Sequence, residues 1–225
     1  MTKTLIIKSH PRSGWSMIRY SNILERIYKL ANIEYISATP TTKISDLIKN
    51  KKAKKFAIYF EKYPIFFIKI IYLQIRYRFS HTHFADHSDS LTSLAISKNI
   101  KKFVTVHDQF AILAAEGEYK EVKIRLSGKI YQYINRFLLS RFDKLLCVSH
   151  ETQKTVWVLH PEVETRIFHN PIDSIFNISK VSSTEKFKRF HKYFLVVNNS
   201  HWRKNRIGSL KVWLELRKID LYSIS

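Results

Sequence analysis

Phe103-Val104-Thr105-Val106-His107 is a β-branched, apolar run of the kind found in strands buried on both faces of a parallel sheet. Outward from it, Lys123–Leu139 reads as a helix with Ile124, Ile130, Ile134 and Phe137 on one side, and Lys144–Val148 as the next buried strand. Ser149 is placed to cap a helix over Glu151–Leu159, and Thr165–His169 reads as another strand. Upstream, Thr4–Lys8 is a short strand ended by a loop holding Pro11 and Gly14. Ser16 is expected to cap the following helix, whose apolar face is Ile18, Ile23, Leu24, Ile27 and Leu30. Strands are expected at Ile33–Ile36 and Phe56–Phe60, a long helix from Pro64 to about Phe79, and a short strand or turn at His81–Asp86. Ser88 is expected to cap a helix ending near Ser97. After a polar linker at Ser179–Lys188, Tyr193–Val197 and Arg203–Leu216 begin a new strand–helix unit. Such alternation implies an α/β, Rossmann-like parallel sheet with helices on both faces, and places ligands beyond the carboxyl ends of its strands.

Composition narrows the functional classes. Hydrophobic residues make up 45% of the 225, enough for a packed core and against wholesale disorder. Only 4 glycines occur, and neither G-x-G-x-x-G nor G-x-x-x-x-G-K-[ST] is present, which excludes the usual dinucleotide and P-loop sites. Lys and Arg number 39 against 18 Asp and Glu, a net charge of +21 that attracts nucleic acid, anionic lipid or phosphorylated substrates without choosing among them. The lone Cys147 cannot form an intrachain disulfide and fits a reducing compartment. Met1 to Thr4 lead directly into Leu5-Ile6-Ile7, which reads as a chain without a signal peptide. Tyr63–Ile75 is apolar but holds Lys69 and is too short to span a bilayer. The expected location is cytoplasmic, with the inner membrane face as a peripheral site.

Residues just past the strand ends are rich in polar chemistry: Ser13-Gly14, His83 with Asp86-His87, His107-Asp108, Ser149-His150, and Asn170-Pro171-Ile172-Asp173. His81, His83 and His87 invite a zinc reading, but neither a cysteine nor helical His spacing accompanies them, so no metal is assigned. Four segments together resemble the glycosyltransferase group 1 family, also called glycosyltransferase family 4. They are Val104 to Asp108, Phe142 to Thr152, Arg166 to Asp173, and Trp202 to Arg206 with its Lys-Asn pair. They follow the family's order and approximate spacing.

The resemblance implies a GT-B fold of two facing Rossmann-like domains. It implies retaining transfer of a sugar from a nucleotide-sugar donor to a saccharide or lipid-linked acceptor, in surface polysaccharide synthesis and without a cofactor. Residues 1–178 would form the acceptor-side domain, 179–189 a linker, and 190–225 the first strand and helix of an incomplete donor-binding domain. His107 and Asp108 would be the catalytic pair, His107 orienting the reacting sugar; Gly14, Asn170 and Lys204 would bind the donor. Lys204, near a helix amino end, suits a phosphate, and Gly14 lets the first loop approach closely. Val197 stands where the family has a glycine, Asn198-Asn199 where many members have arginine, and the family's Glu-x₇-Glu segment would lie beyond Ser225. The donor site therefore reads as incomplete and the chain as a truncated form. A non-catalytic remnant and a basic protein binding nucleic acid or a membrane surface are the alternatives. An anionic membrane surface stays among the expected partners. Specific nucleic-acid binding does not, since no helix-turn-helix, zinc-finger or RNP signature accompanies the charge.

Overall fold

The computed structural model describes residues 3–12, 14–172, 196 and 204–218. The chain divides into two compact units, Met1–Ile172 and Asp173–Ser225. The first unit carries six strands: β1 (Lys3–Ile7), β2 (Tyr35–Ala38), β3 (Phe79–Phe84), β4 (Lys101–Val106), β5 (Lys144–Cys147) and β6 (Glu164–Ile167). They form one sheet in the order β2-β1-β3-β4-β5-β6, and every neighbouring pair is parallel. Between them run α1 (Trp15–Leu30), α2 (Lys43–Leu47), α3 (Lys51–Phe60), α4 (Phe66–Arg76), α5 (Phe110–Glu116), α6 (Leu126–Leu139) and α7 (His150–Leu159), with a 3₁₀ segment at His87–Ala95. In the second unit α8 spans Arg206–Lys218. The expected α/β, Rossmann-like class is the observed one.

Side chains alternate across the sheet as the strand period of two requires. Leu5, Ile7, Phe84, Val104, Val106, Leu145 and Cys147 belong to the large core, closed by Phe66 and Ile70 of α4 and Val156 and Leu159 of α7. Ile6 lies in a smaller cluster with Tyr20 and Leu24 of α1. Burial in the large core pushes the Cys147 thiol up to about 11, so it is a packing group.

Several local expectations are corrected. Phe56–Phe60 is not a strand but the last turns of α3, whose start is fixed by Asn50, its side chain accepting from Lys52 N and Ala53 N at 2.9 and 3.1 Å. The aromatic run favours a strand in isolation, but the Lys- and Ala-rich stretch before it and this cap commit it to a helix. Pro64 does not open the next helix; it sits inside a π turn, Glu61–Ile65, which joins α3 to α4. The wide turn accommodates a residue that lacks the N–H an α-helix needs. The helix ends at Arg76, and Phe79 starts β3. Ser88 does not cap a helix: Asp86 does, its Oδ1 accepting from Ser88 N at 2.9 Å at the head of the 3₁₀ segment. Ser16 is no cap either, since Gly14 is the α1 N-cap residue. Ser149 does cap α7, accepting from Thr152 N at 3.1 Å. Helix α5 went unforeseen. It ends at Gly117, whose φ of 94° is the left-handed conformation glycine adopts without strain.

The linker at Ser179–Lys188, most of the strand at Tyr193–Val197, and Asn198, Asn199, Trp202 and Arg203 lie outside the described residues.

Candidate functional site

Because all six strands are parallel, their carboxyl ends share one edge of the sheet. Backbone bonds lace this rim: Lys8 N to Ala38 O at 2.9 Å, Ala85 N to Ile7 O at 2.9 Å, Val148 N to Val106 O at 3.2 Å and Phe168 N to Cys147 O at 2.8 Å. Gly14 follows β1, His107 and Asp108 follow β4, and Asn170 follows β6, so these four candidates belong to that edge. Lys204 is in the second unit, just before α8.

His107 is the most constrained of them. It is half-buried, and its Nε2 lies 3.0 Å from the Ala85 carbonyl oxygen. A carbonyl only accepts, so Nε2 carries the proton, and the neutral ring keeps Nδ1 as an acceptor. Burial lowers its pKa from the usual histidine value, opposed by the Ala85 bond and the Asp86 carboxylate. The ring is therefore neutral near pH 7. Tyr20 stands edge-on to it, centroids 4.5 Å apart at 88°. The His107 carbonyl accepts from Thr152 Oγ1 at 3.3 Å, fixing it to the first turn of α7.

Asp108 Oδ1 accepts from Phe110 N at 3.1 Å, so its carboxylate shapes the entry to α5. Gly14 has φ −55° and ψ 145°, open to any residue, and an added Cβ would meet only Ser16 Oγ at 3.8 Å. Nothing in the local backbone demands glycine there. Asn170 is exposed, beside His169, whose Nδ1 lies 3.2 Å from Val148 O at the end of β5. Beyond Lys204, Asn205 caps α8 with φ 44°, its Oδ1 accepting from Gly208 N at 3.1 Å. A Cβ on Gly208 would fall 2.4 Å from the Asn205 amide, so glycine makes this cap sterically feasible.

Two arrangements near the rim were not anticipated. The first is a buried hydrogen-bond chain: Tyr28 hydroxyl to His83 Nδ1 at 3.0 Å, His83 Nε2 to Thr105 Oγ1 at 3.0 Å, and Thr105 Oγ1 to Tyr20 hydroxyl at 2.8 Å. Burial lowers His83 to about 4 and raises Tyr20 and Tyr28 to about 12, so the whole chain is uncharged near neutrality. The second is the ion pair of Lys62 Nζ with Asp89 Oδ1 at 2.7 Å, both side chains largely buried. Burial alone would lower Lys62, but the Asp89 carboxylate holds it charged and raises its pKa. Beside the pair, Glu61 is fully buried and accepts from Ile44 N and Ser45 N at 2.7 and 3.3 Å. The run of polar residues Ser80-His81-Thr82-His83 between Phe79 and Phe84 held a signal for the first arrangement. No local pattern signals the second, since Lys62 and Asp89 meet only through the π turn.

His81, His83 and His87 have separate environments. His81 Nδ1 is 2.8 Å from Ser80 Oγ, His83 is in the tyrosine chain, and His87 Nδ1 is 3.2 Å from Asp86. Among the described residues no group of three or more His, Cys, Asp or Glu could hold a metal.

No protein-family model matches the chain, and no curated protein matches it in sequence. Among solved structures it is similar to a UDP-glucosyltransferase from Polygonum tinctorium, described as capable of glucosylating indoxyl and solved as a complex with 3,4-dichloroaniline. The TM-score is 0.52 and the identity 11%, over 84% of this chain and 55% of that one. The fold is glycosyltransferase-like. At that identity the likeness speaks for the fold alone, and the chain spans about half the length of the enzyme it matches.

Proposed function

We propose that the chain is part of a GT-B glycosyltransferase of the group 1 kind, transferring a sugar from a nucleotide-sugar donor to a saccharide or lipid-linked acceptor in surface polysaccharide synthesis. In this reading residues 1–178 form the acceptor-side domain, 179–189 the linker, and 190–225 the opening of the donor-binding domain. The observation that carries it is His107, a neutral imidazole at the rim of a glycosyltransferase-like sheet, with Nε2 committed to Ala85 and Nδ1 left as an acceptor. An acceptor nitrogen held this way takes a hydroxyl hydrogen of the reacting sugar and fixes its orientation. Asp108, on the adjacent turn, adds negative charge beside it. Gly14 keeps the first loop low enough for the donor to approach, Asn170 offers an amide at the β6 end, and Lys204 supplies charge to the diphosphate.

The test uses the chain joined to the rest of a donor-binding domain, with a panel of nucleotide-sugars in calorimetric titration. At least one is expected to bind, about tenfold more weakly in Lys204→Ala, the size of one charge-assisted hydrogen bond. His107→Ala is expected to leave that binding within about threefold while abolishing transfer to acceptor. No binding across the panel, or unchanged binding in Lys204→Ala, defeats the assignment.

One observation favours a membrane surface as a further partner. Phe56, Tyr59, Phe60, Ile68, Tyr72 and Ile75 are exposed on α3 and α4, with Lys51, Lys52 and Lys55 exposed on the same α3. Among the described residues no helix is long and apolar enough to cross a bilayer. An exposed aromatic and basic surface instead suits the interface of an anionic leaflet. Co-sedimentation with phosphatidylglycerol vesicles, absent with phosphatidylcholine and lost at high salt, is the expected result; equal binding to both removes this reading.

A further inference from the structure

Helix α6 is apolar on two sides, and the fold uses one of them. Its inner side holds Asn135, Leu138 and Leu139, all buried. Asn135 Oδ1 accepts from Ser90 Oγ at 2.6 Å, and the Tyr131 hydroxyl donates to the Ser88 carbonyl at 2.7 Å, which ties this side to the 3₁₀ segment. The outer side holds Leu126, Ile130, Tyr133, Ile134 and Phe137, between 42% and 74% exposed. At about 100° per residue, Ile130, Tyr133 and Phe137 lie within about 40° of Leu126, while Asn135 lies about 180° away. The outward side of a surface helix is ordinarily polar. Single apolar residues on a surface need no explanation, but five in one row form a patch that marks an interaction site.

The spacing gives the shape of what covers this row. Leu126, Ile130, Tyr133 and Phe137 are separated by 4, 3 and 4 residues, the interval of a seam between two helices. Such a seam is narrower than the apolar face that a helix turns to a core or a lipid interface. It runs for about 16 Å, the length of about three helical turns.

The bordering charge gives the chemistry of the partner. Arg125 stands at the start of α6, Lys129 and Arg136 lie two turns apart along one edge of the row, and α6 itself holds no acidic residue. Beyond its end, the Arg141 guanidinium lies 4.3 Å from the Phe137 ring centroid. Glu116 engages Arg136, and Glu162 stands in the groove beside Tyr133 and Phe137. Arg125, Lys129 and Arg141 outweigh that one carboxylate. The net charge of +21 repels a second copy and draws in an acidic partner. We propose that the outer side of α6 docks an amphipathic helix of a partner protein, with large aliphatic residues at the same spacing and Asp or Glu along its edges. This holds whether or not the glycosyltransferase reading does.

The full chain is titrated by fluorescence anisotropy with a labelled peptide of about 21 residues, carrying Leu at the seam and Glu along both edges. A scrambled peptide of the same composition and one with Lys in place of Glu serve as comparisons. The acidic peptide is expected to bind at about 10–100 µM, as suits so short a seam, and the scrambled one about tenfold more weakly. Ile130→Ala with Phe137→Ala, both at exposed positions, is expected to weaken binding about tenfold or more. Arg125→Glu with Lys129→Glu is expected to weaken it about fivefold and to admit the lysine peptide. Absence of binding, equal binding of either comparison peptide to the native chain, or full affinity after Ile130→Ala with Phe137→Ala overturns the proposal. So does a dimer in sedimentation that this last variant dissolves, which gives the face to a second copy. Loss of phosphatidylglycerol vesicle binding in the same variant gives it to lipid and overturns the proposal equally.

Discussion

The two faces of the sheet are built from alternate residues of the same strands, yet they are closed by different physics. On one face Leu5, Ile7, Phe84, Val104, Val106 and Leu145 meet the apolar sides of α4 and α7. On the other, Ile6 is the apolar centre, and α1 is fastened by hydroxyls, Tyr28 to His83 and Tyr20 to Thr105. The first face gains most of its free energy from area removed from water. The second has a smaller apolar cluster, Ile6, Tyr20, Leu24 and Ala85, and adds direction to it, because a hydrogen bond loses its strength when its angle is lost. Tyr20 is the link to the rim: its hydroxyl ends the chain, and its ring sets one wall of His107.

The difference can be broken first by size. Phe84→Ala on the apolar face is expected to destabilise by about 3–5 kcal/mol in urea unfolding, as large core truncations do. Thr105→Val preserves shape on the polar face but strands the Tyr20 hydroxyl and His83 Nε2, and is expected to cost about 1–3 kcal/mol. It is also expected to loosen the Tyr20 ring, visible as a shift of the His107 ring protons in NMR. Equal costs for the two substitutions, with His107 unmoved, contradict the division.

The sequence made the apolar face readable and the polar one only partly so. Val104 and Val106, with Leu145 and Cys147, announce buried strands wherever they are placed, since continuous apolar runs have few other uses. The strand ends that follow them place His107 and Asn170 at the rim through topology alone. His83 and Thr105 were visible as polar residues inside strands, but their partners come from α1, far away in the chain, and propensity carries no such information. The same holds for Lys62 and Asp89. Their meeting depends on the π turn, and around Pro64 the local pattern argued for a helix start. At Phe56–Phe60 strand propensity misled because the Asn50 cap and the lysines before it set the local conformation first.

A subtler separation of the faces is their response to acid. The apolar face has no titrating group among the core residues that line it apart from Cys147, whose thiol stays protonated throughout the acid range. His83 is different, since its pKa falls to about 4 on folding while an unfolded histidine titrates near 6.5. Between those values the unfolded chain binds a proton that the native His83 does not. Stability from this group is therefore complete above about pH 6.5 and declines as the pH falls toward 4, by up to about 1.4 kcal/mol per pH unit. His160, also lowered to about 4, contributes a parallel loss of its own. Comparison of the native chain with His83→Phe cancels that contribution, because His160 is present in both. Urea unfolding between pH 6.5 and 4.5 is expected to give a slope shallower by close to one proton in His83→Phe, whatever the substitution does to stability at pH 7. Parallel slopes would mean that His83 is charged in the folded protein. The chain Tyr28–His83–Thr105–Tyr20 would then run through an imidazolium, both of whose nitrogens donate, and the hydroxyls on either side would have to accept.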